Sequence, residues 1–104
     1  MDEPMKFDAD KAAEFLALLA NPSRLKVMGL ITKAEWGVND LASEVGLSQS
    51  ALSQHLAKFR SARLVQVRRD AQNIYYYCSS QDIMKVLATL DEISKNSVNS
   101  KSVA

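Results

Sequence analysis

With 104 residues and a formal net charge of +1, the chain suffices for one small domain, and any nucleic-acid contact has to come from local charge. One cysteine excludes an internal disulfide framework, and with a single histidine it leaves too few ligands for a transition-metal centre within one subunit. There is no long apolar run and no signal-peptide pattern, so we expect a soluble, cytoplasmic protein with no membrane partner.

Residues 1–7 read as a flexible lead-in, and Asp8 to Leu19 as a first helix with acids in its opening turn. Ala12, Phe15, Leu16 and Leu19 form its apolar stripe, and Leu18 lies off that stripe, facing a second buried contact such as another subunit. Asn21-Pro22 restarts the chain as an N-cap followed by proline at N1. The second helix carries Leu25, Met28 and Ile31, flanked by Val27 and Leu30. Gly29 inside it costs about 1 kcal/mol relative to alanine, which hints at close helix packing. Trp36-Gly37 ends the connection, with Trp36 read as a core or hinge anchor rather than a ligand-binding residue.

Val38 to Leu64 then reads as two short helices at an angle. Asn39 is placed to cap the first, Leu41, Ala42 and Val45 share one face, and Gly46 ends the helix in a left-handed conformation. Leu47 fills the angle and Ser48 caps the second helix. At 100° per residue Leu56, Phe59 and Arg63 fall within about 40° of Leu52. Ser50, Ser53, Gln54, Ala57 and Ser61 lie broadly opposite. A solvated face usually carries Glu and Lys; this one is short, amide-bearing and free of acids. Such side chains let a helix sit deep in a major groove, where an amide reads a base edge with two hydrogen bonds. The plainer alternative is an αα-hairpin with a Ser/Gln-rich exterior. Charge separates the two: Val45 to Arg69 contains no Asp or Glu but holds Lys58, Arg60, Arg63, Arg68 and Arg69. A basic run without counter-ions is what phosphate contact requires locally.

Leu64 to Arg69 and Ile74 to Cys78 form a hairpin pattern around Asp70-Ala71-Gln72-Asn73. Val65 and Val67 alternate with Gln66 and Arg68, while Ile74, Tyr76 and Cys78 alternate with Tyr75 and Tyr77. A hairpin directly after a helix-turn-helix is a wing, with a basic approach suited to backbone or minor groove. Ser79 to Asp82 reads as a capping box. The last helix shows Ile83, Val86, Leu87, Leu90 and Ile93 on one stripe, with Lys85, Asp91 and Glu92 elsewhere. The whole is a mainly α winged helix-turn-helix of order ααααββα over residues 8–95, followed by a disordered tail at 96–104. Gln49, Ser50, Ser53 and Gln54 are the candidate base readers. Ser48, His55, Lys58, Arg60, Arg68, Arg69, Gln72 and Tyr75 are the candidates for backbone or minor groove.

The strings Leu19-Ala20-Asn21-Pro22-Ser23-Arg24-Leu25 and Gly46-Leu47-Ser48-Gln49-Ser50-Ala51-Leu52-Ser53-Gln54-His55-Leu56, with Arg68-Arg69-Asp70-Ala71-Gln72 and Tyr75-Tyr76, resemble the ArsR/SmtB family of bacterial winged-helix repressors. Among its branches they are most similar to the NolR-type subgroup without metal-site residues. The resemblance covers about Ala12 to Ile93. It implies a homodimer joined through the first and last helices, here Phe15, Leu16, Leu18, Leu19, Ile83, Val86, Leu87 and Leu90. It also implies a roughly palindromic double-stranded DNA operator and repression rather than activation. Such a dimer would supplement the small core of a chain this short.

Departures from the family narrow the chemistry. Trp36 to Leu41 lacks the Cys-x-Cys through which many members sense metals, and Gln81 to Ile93 lacks the histidines that others place there. Gly29 stands where a redox subgroup has a cysteine, and no cysteine follows Cys78. No metal and no cofactor is therefore expected. His55 is read as a packing or phosphate residue and Cys78 as a small semi-buried one, without a charged neighbour to activate its thiol. Two rival functions remain to compare. A winged helix used only for protein interaction predicts apolar residues on the exposed face, where Ser50, Ser53, Gln54 and Ala57 stand. An enzyme predicts a phosphate loop, a nucleophile-histidine-acid set or a metal constellation, none of which occurs.

Overall fold

The structure, a computed structural model, describes the backbone of residues 5–103 and the side-chain surroundings of residues 5–96. Residues 1–4 of the lead-in and residue 104 of the tail lie outside the described residues.

Among the described residues, side-chain caps start four of the helices. Asp8 Oδ1 accepts from the N–H of Asp10 at 2.9 Å and of Lys11 at 3.2 Å, opening α1 (Ala9–Leu19). Asn21 Oδ1 accepts from the N–H of Arg24 at 3.1 Å, with Pro22 at the first position of α2 (Pro22–Ile31). Ser48 Oγ accepts from the N–H of Ala51 at 3.1 Å, opening α4 (Gln49–Ser61). Each satisfies an amide that the first helical turn leaves free.

Two caps differ from the sequence reading. Trp36 and Gly37 form a short strand, β1 (Trp36–Gly37), whose extended backbone feeds straight into α3 (Val38–Val45). The helix therefore starts from Gly37 without a side-chain cap, and Asn39 lies inside its first turn instead of capping it. At α5 (Gln81–Val103) the cap is Ser80, whose Oγ accepts from the N–H of Ile83 at 3.2 Å. Ser79 instead donates its N–H and its hydroxyl to Gln66 Oε1, at 3.1 and 3.2 Å. The backbone of α5 is helical to Val103, past Asn96, where the sequence reading begins the tail.

Two helix ends turn on left-handed residues. After α3, Gly46 has φ 72° and the N–H of Leu47 reaches the carbonyl of Ala42 at 2.9 Å. After α4, Arg63 has φ 61°, its N–H meets the carbonyl of Arg60 at 2.9 Å, and that of Leu64 meets Phe59 at 2.9 Å. This is a Schellman closure in both cases. It removes Arg63 from the buried stripe of α4, where helical periodicity had placed it, and leaves it exposed.

The hairpin consists of β2 (Gln66–Asp70) and β3 (Asn73–Tyr77), antiparallel from Gln66 opposite Tyr77 to Asp70 opposite Asn73. That register leaves Ala71 and Gln72 as the turn, with Ala71 at φ 56°. β1 pairs with the other edge of β3, Trp36 opposite Tyr76, giving the order β1-β3-β2. The third strand is absent from the sequence reading, because two residues carry no period. The N–H of Cys78 then donates to the Ile31 carbonyl at 2.9 Å, tying the exit of the sheet to the end of α2.

The core joins these pieces: Val27, Met28 and Ile31 of α2, Leu41 of α3, Leu52, Leu56 and Phe59 of α4, and Ile83 of α5 are all buried. Cys78 is buried with them, deeper than the semi-buried position expected. Gly29 is not a close-packing residue, since a Cβ there would meet nothing within 4 Å. The result is a mainly helical winged helix-turn-helix, with five helices and a small three-stranded antiparallel sheet among the described residues.

Candidate nucleic-acid interface

The buried stripe of α4 fixes which side chains face outward. With Leu52, Leu56 and Phe59 held in the core, Gln49, Ser50, Ser53 and Gln54 are all exposed, as are Ala57, Lys58 and Arg60. At 100° per residue the four candidate base readers span an arc of about 140°. Arg60 falls within that arc, and Lys58 and His55 lie beyond its Gln54 edge. Among the described residues, none of the four readers forms a side-chain hydrogen bond within the chain, so their donors and acceptors remain free for a ligand. An acid-free face of small and amide side chains, with cations beside it, can enter a groove lined by phosphates.

The wing differs from the expected basic approach in one respect. Arg68 is not without a counter-ion: its Nε donates to Glu35, 2.8 Å from Oε2, and its guanidinium lies 4.6 Å from the centre of the Tyr75 ring, the residue opposite it in the sheet. The hydrogen bond from Arg68 holds the Glu35 carboxyl below its ordinary range and pushes the arginine up. Both partners are exposed, so the pair contributes little to stability, but it occupies Arg68 and Tyr75 together. Arg69, Gln72 and the turn are exposed beyond it, with Asp70 beside them.

Arg24 enters the sequence reading only within the Leu19–Leu25 string, with no role assigned to it. Its Nε donates to His55 Nδ1 at 3.0 Å and its Nη1 to the Leu18 carbonyl at 3.4 Å, joining α2 to α4 and to the end of α1. Burial, followed by the nearby charges of Arg24 and Lys58, lowers the His55 pKa from its ordinary 6.5. One signal was available in the sequence: a cation in the first turn of α2 opposes the helix dipole, so something else must hold it there.

The terminal helices divide the expected dimer residues. Leu19 and Ile83 are buried within the chain's own core, 4% and 0% exposed, and cannot serve as interface. Leu19 ends α1 and Ile83 lies in the first turn of α5, so each belongs to the part of its helix that meets the core. Phe15, Leu18, Val86 and Leu87 pack partly against that core. Leu16 at 55% and Leu90 at 42% remain exposed, together with Ile93 at 56%. Among the described residues no three His, Cys, Asp or Glu side chains converge as a metal site, and no helix is long and apolar enough to cross a membrane. Burial raises the Cys78 thiol pKa, which disfavours the reactive thiolate.

Comparison with known proteins places this geometry. The pattern for bacterial regulatory proteins of the arsR family matches residues 21–67, from the cap of α2 into β2. The nodulation protein NolR of Rhizobium meliloti is 54% identical over 83% of this chain and 70% of its own length. A protein of Synechocystis named as a homologue of the transcriptional repressor SmtB is 41% identical over 81% of this chain and 64% of its own. The crystal structure of NolR from Sinorhizobium fredii superposes with a TM-score of 0.76 at 49% identity, covering 88% of this chain and 96% of that one. The fold, the exposed acid-free helix and these likenesses together establish that the chain belongs to the arsR family of bacterial regulatory proteins, as a DNA-binding transcriptional regulator and not an enzyme.

Proposed function

We propose that the protein is a cytoplasmic repressor that binds a roughly palindromic operator as a homodimer, with no metal or cofactor. The observation that carries the reading is the exposed face of α4, where Gln49, Ser50, Ser53 and Gln54 stand with no acid on the helix. In this reading those four contact base edges. Ser48, His55, Lys58 and Arg60 bind phosphate around the helix, and Arg69 and Gln72 bind the backbone or minor groove from the wing. Arg68 and Tyr75 support the wing more than they touch DNA, because Glu35 holds Arg68. Repression is supported by the repressor named among the relatives and follows physically if the operator overlaps a promoter.

Exposed Leu16, Leu90 and Ile93 on the first and last helices favour the dimer, since a second copy would cover them. Two recognition helices on one face of the duplex then require half-sites about one helical turn, 34–36 Å, apart or a multiple of it. Sedimentation of the protein with an operator duplex tests the assembly, with two protomers per duplex expected. A saturated complex with one protomer would contradict it. Transcription from a template carrying the operator across its promoter should fall as protein is added, and a rise would reverse the assigned sign.

A further inference from the structure

Arg24 makes a chemical statement about His55. Arginine offers only donors, so the 3.0 Å contact from its Nε requires a lone pair on His55 Nδ1. The imidazole is then neutral, with its single proton on Nε2. A protonated ring would present N–H against N–H at this contact. His55 lies half-buried on the edge of α4, one helical turn from exposed Lys58. No acid occurs anywhere on α4. The groups whose charges act on the ring are Arg24 from α2 and Lys58 from α4. Such a cluster of donors lacks an anion.

We propose that Arg24 is a positioning residue for DNA binding: it fixes the Nε2–H tautomer of His55, so that this donor and Lys58 together bind one phosphate at the edge of the major groove. The same guanidinium holds the Leu18 carbonyl, so the angle between α4 and the α1–α2 corner is set by the group that sets the tautomer. The inference rests on the DNA-binding reading above and adds a residue and a protonation state to it.

The chain contains one histidine, which makes the tautomer directly readable. In tag-free, ¹⁵N-histidine-labelled protein, long-range proton–nitrogen spectra should show the Nε2–H form, and Arg24→Ala should shift the ring toward a mixture of tautomers. On an operator selected from random DNA, His55→Asn keeps an acceptor near Nδ1 but has no donor at Nε2, and should bind about tenfold more weakly. His55→Gln places a donor near Nε2 and should recover most of that loss. Arg24→Ala should weaken binding about fivefold alone and add nothing to His55→Asn. An unchanged tautomer in Arg24→Ala, equal losses for the Asn and Gln variants, or additive losses in the double variant would each overturn the proposal. If Arg24→Ala fails to fold, the Asn and Gln variants still decide. Failure of the unmutated protein to bind any sequence would instead remove the DNA-binding reading and this proposal with it, whereas the tautomer result needs no DNA.

Discussion

Two glycines carry opposite expectations. Gly29 lies within α2 with ordinary backbone and open space around it. Gly29→Ala should therefore stabilise the fold by about 1 kcal/mol, the helix-propensity difference. Gly46 has φ 72° at the end of α3, where a Cβ costs about 1–2 kcal/mol, so Gly46→Ala should destabilise by about that amount. Urea unfolding of both variants checks the pair, and two shifts of the same sign would contradict the backbone argument. For function, Gln54→Ala should cost about 1–3 kcal/mol on the best operator and flatten preference at one base pair per half-site. His55 adds a pH dependence. Its folded pKa is depressed below the ordinary 6.5, so the unfolded chain binds its proton first. The stability that this contributes is present above about pH 6.5 and is lost as pH falls below it toward the folded value. Replacing His55 with Gln should remove that part of the acid sensitivity in unfolding curves taken on either side of this pH. An unchanged dependence would mean that the ring's surroundings do not discriminate its charge.

At the scale of elements, the sequence was legible where a cap or a long period marks the backbone. Asn21-Pro22, Ser48 and Gly46 occupy the expected roles because each answers a local need of a helix end. Legibility failed where the cause was not local. β1 is two residues long and exists only because β3 has a free edge to pair with. Periodicity alone carries Arg63 onto the stripe of α4, because it runs past a helix end that only hydrogen bonding defines. The Glu35–Arg68 and Arg24–His55 pairs join residues 33 and 31 positions apart, so no periodicity reports them. The wing yields its own test. Arg69→Ala should weaken binding to all sequences alike and make the slope of log affinity against log salt shallower by about one. Arg68→Ala should change that slope less, since Glu35 already neutralises the charge. Equal slopes for Arg69→Ala and the parent would show that Arg69 does not touch phosphate.

For the whole molecule, the question is how a chain with net charge +1 engages a polyanion. Its acids collect outside the stretch from Val45 to Arg69, leaving α4 as a local basic surface. A second copy would double that surface and cover the apolar residues left on α1 and α5. Leu90→Asp probes this with little risk to the protomer, because Leu90 is already 42% exposed. It should shift sedimentation toward monomer while the circular dichroism stays unchanged. A stable dimer in that variant would place the interface elsewhere. The measurement that bears most directly on the central claim, that the outward face of α4 reads DNA, is selection of bound sequences from a random double-stranded pool. Run in parallel, the unmutated protein and Gln54→Ala should behave differently. The unmutated protein should enrich a symmetric consensus of two half-sites, and Gln54→Ala should lose preference at one position in each. Absence of any enriched sequence, or the same base profile in both proteins, would contradict the account.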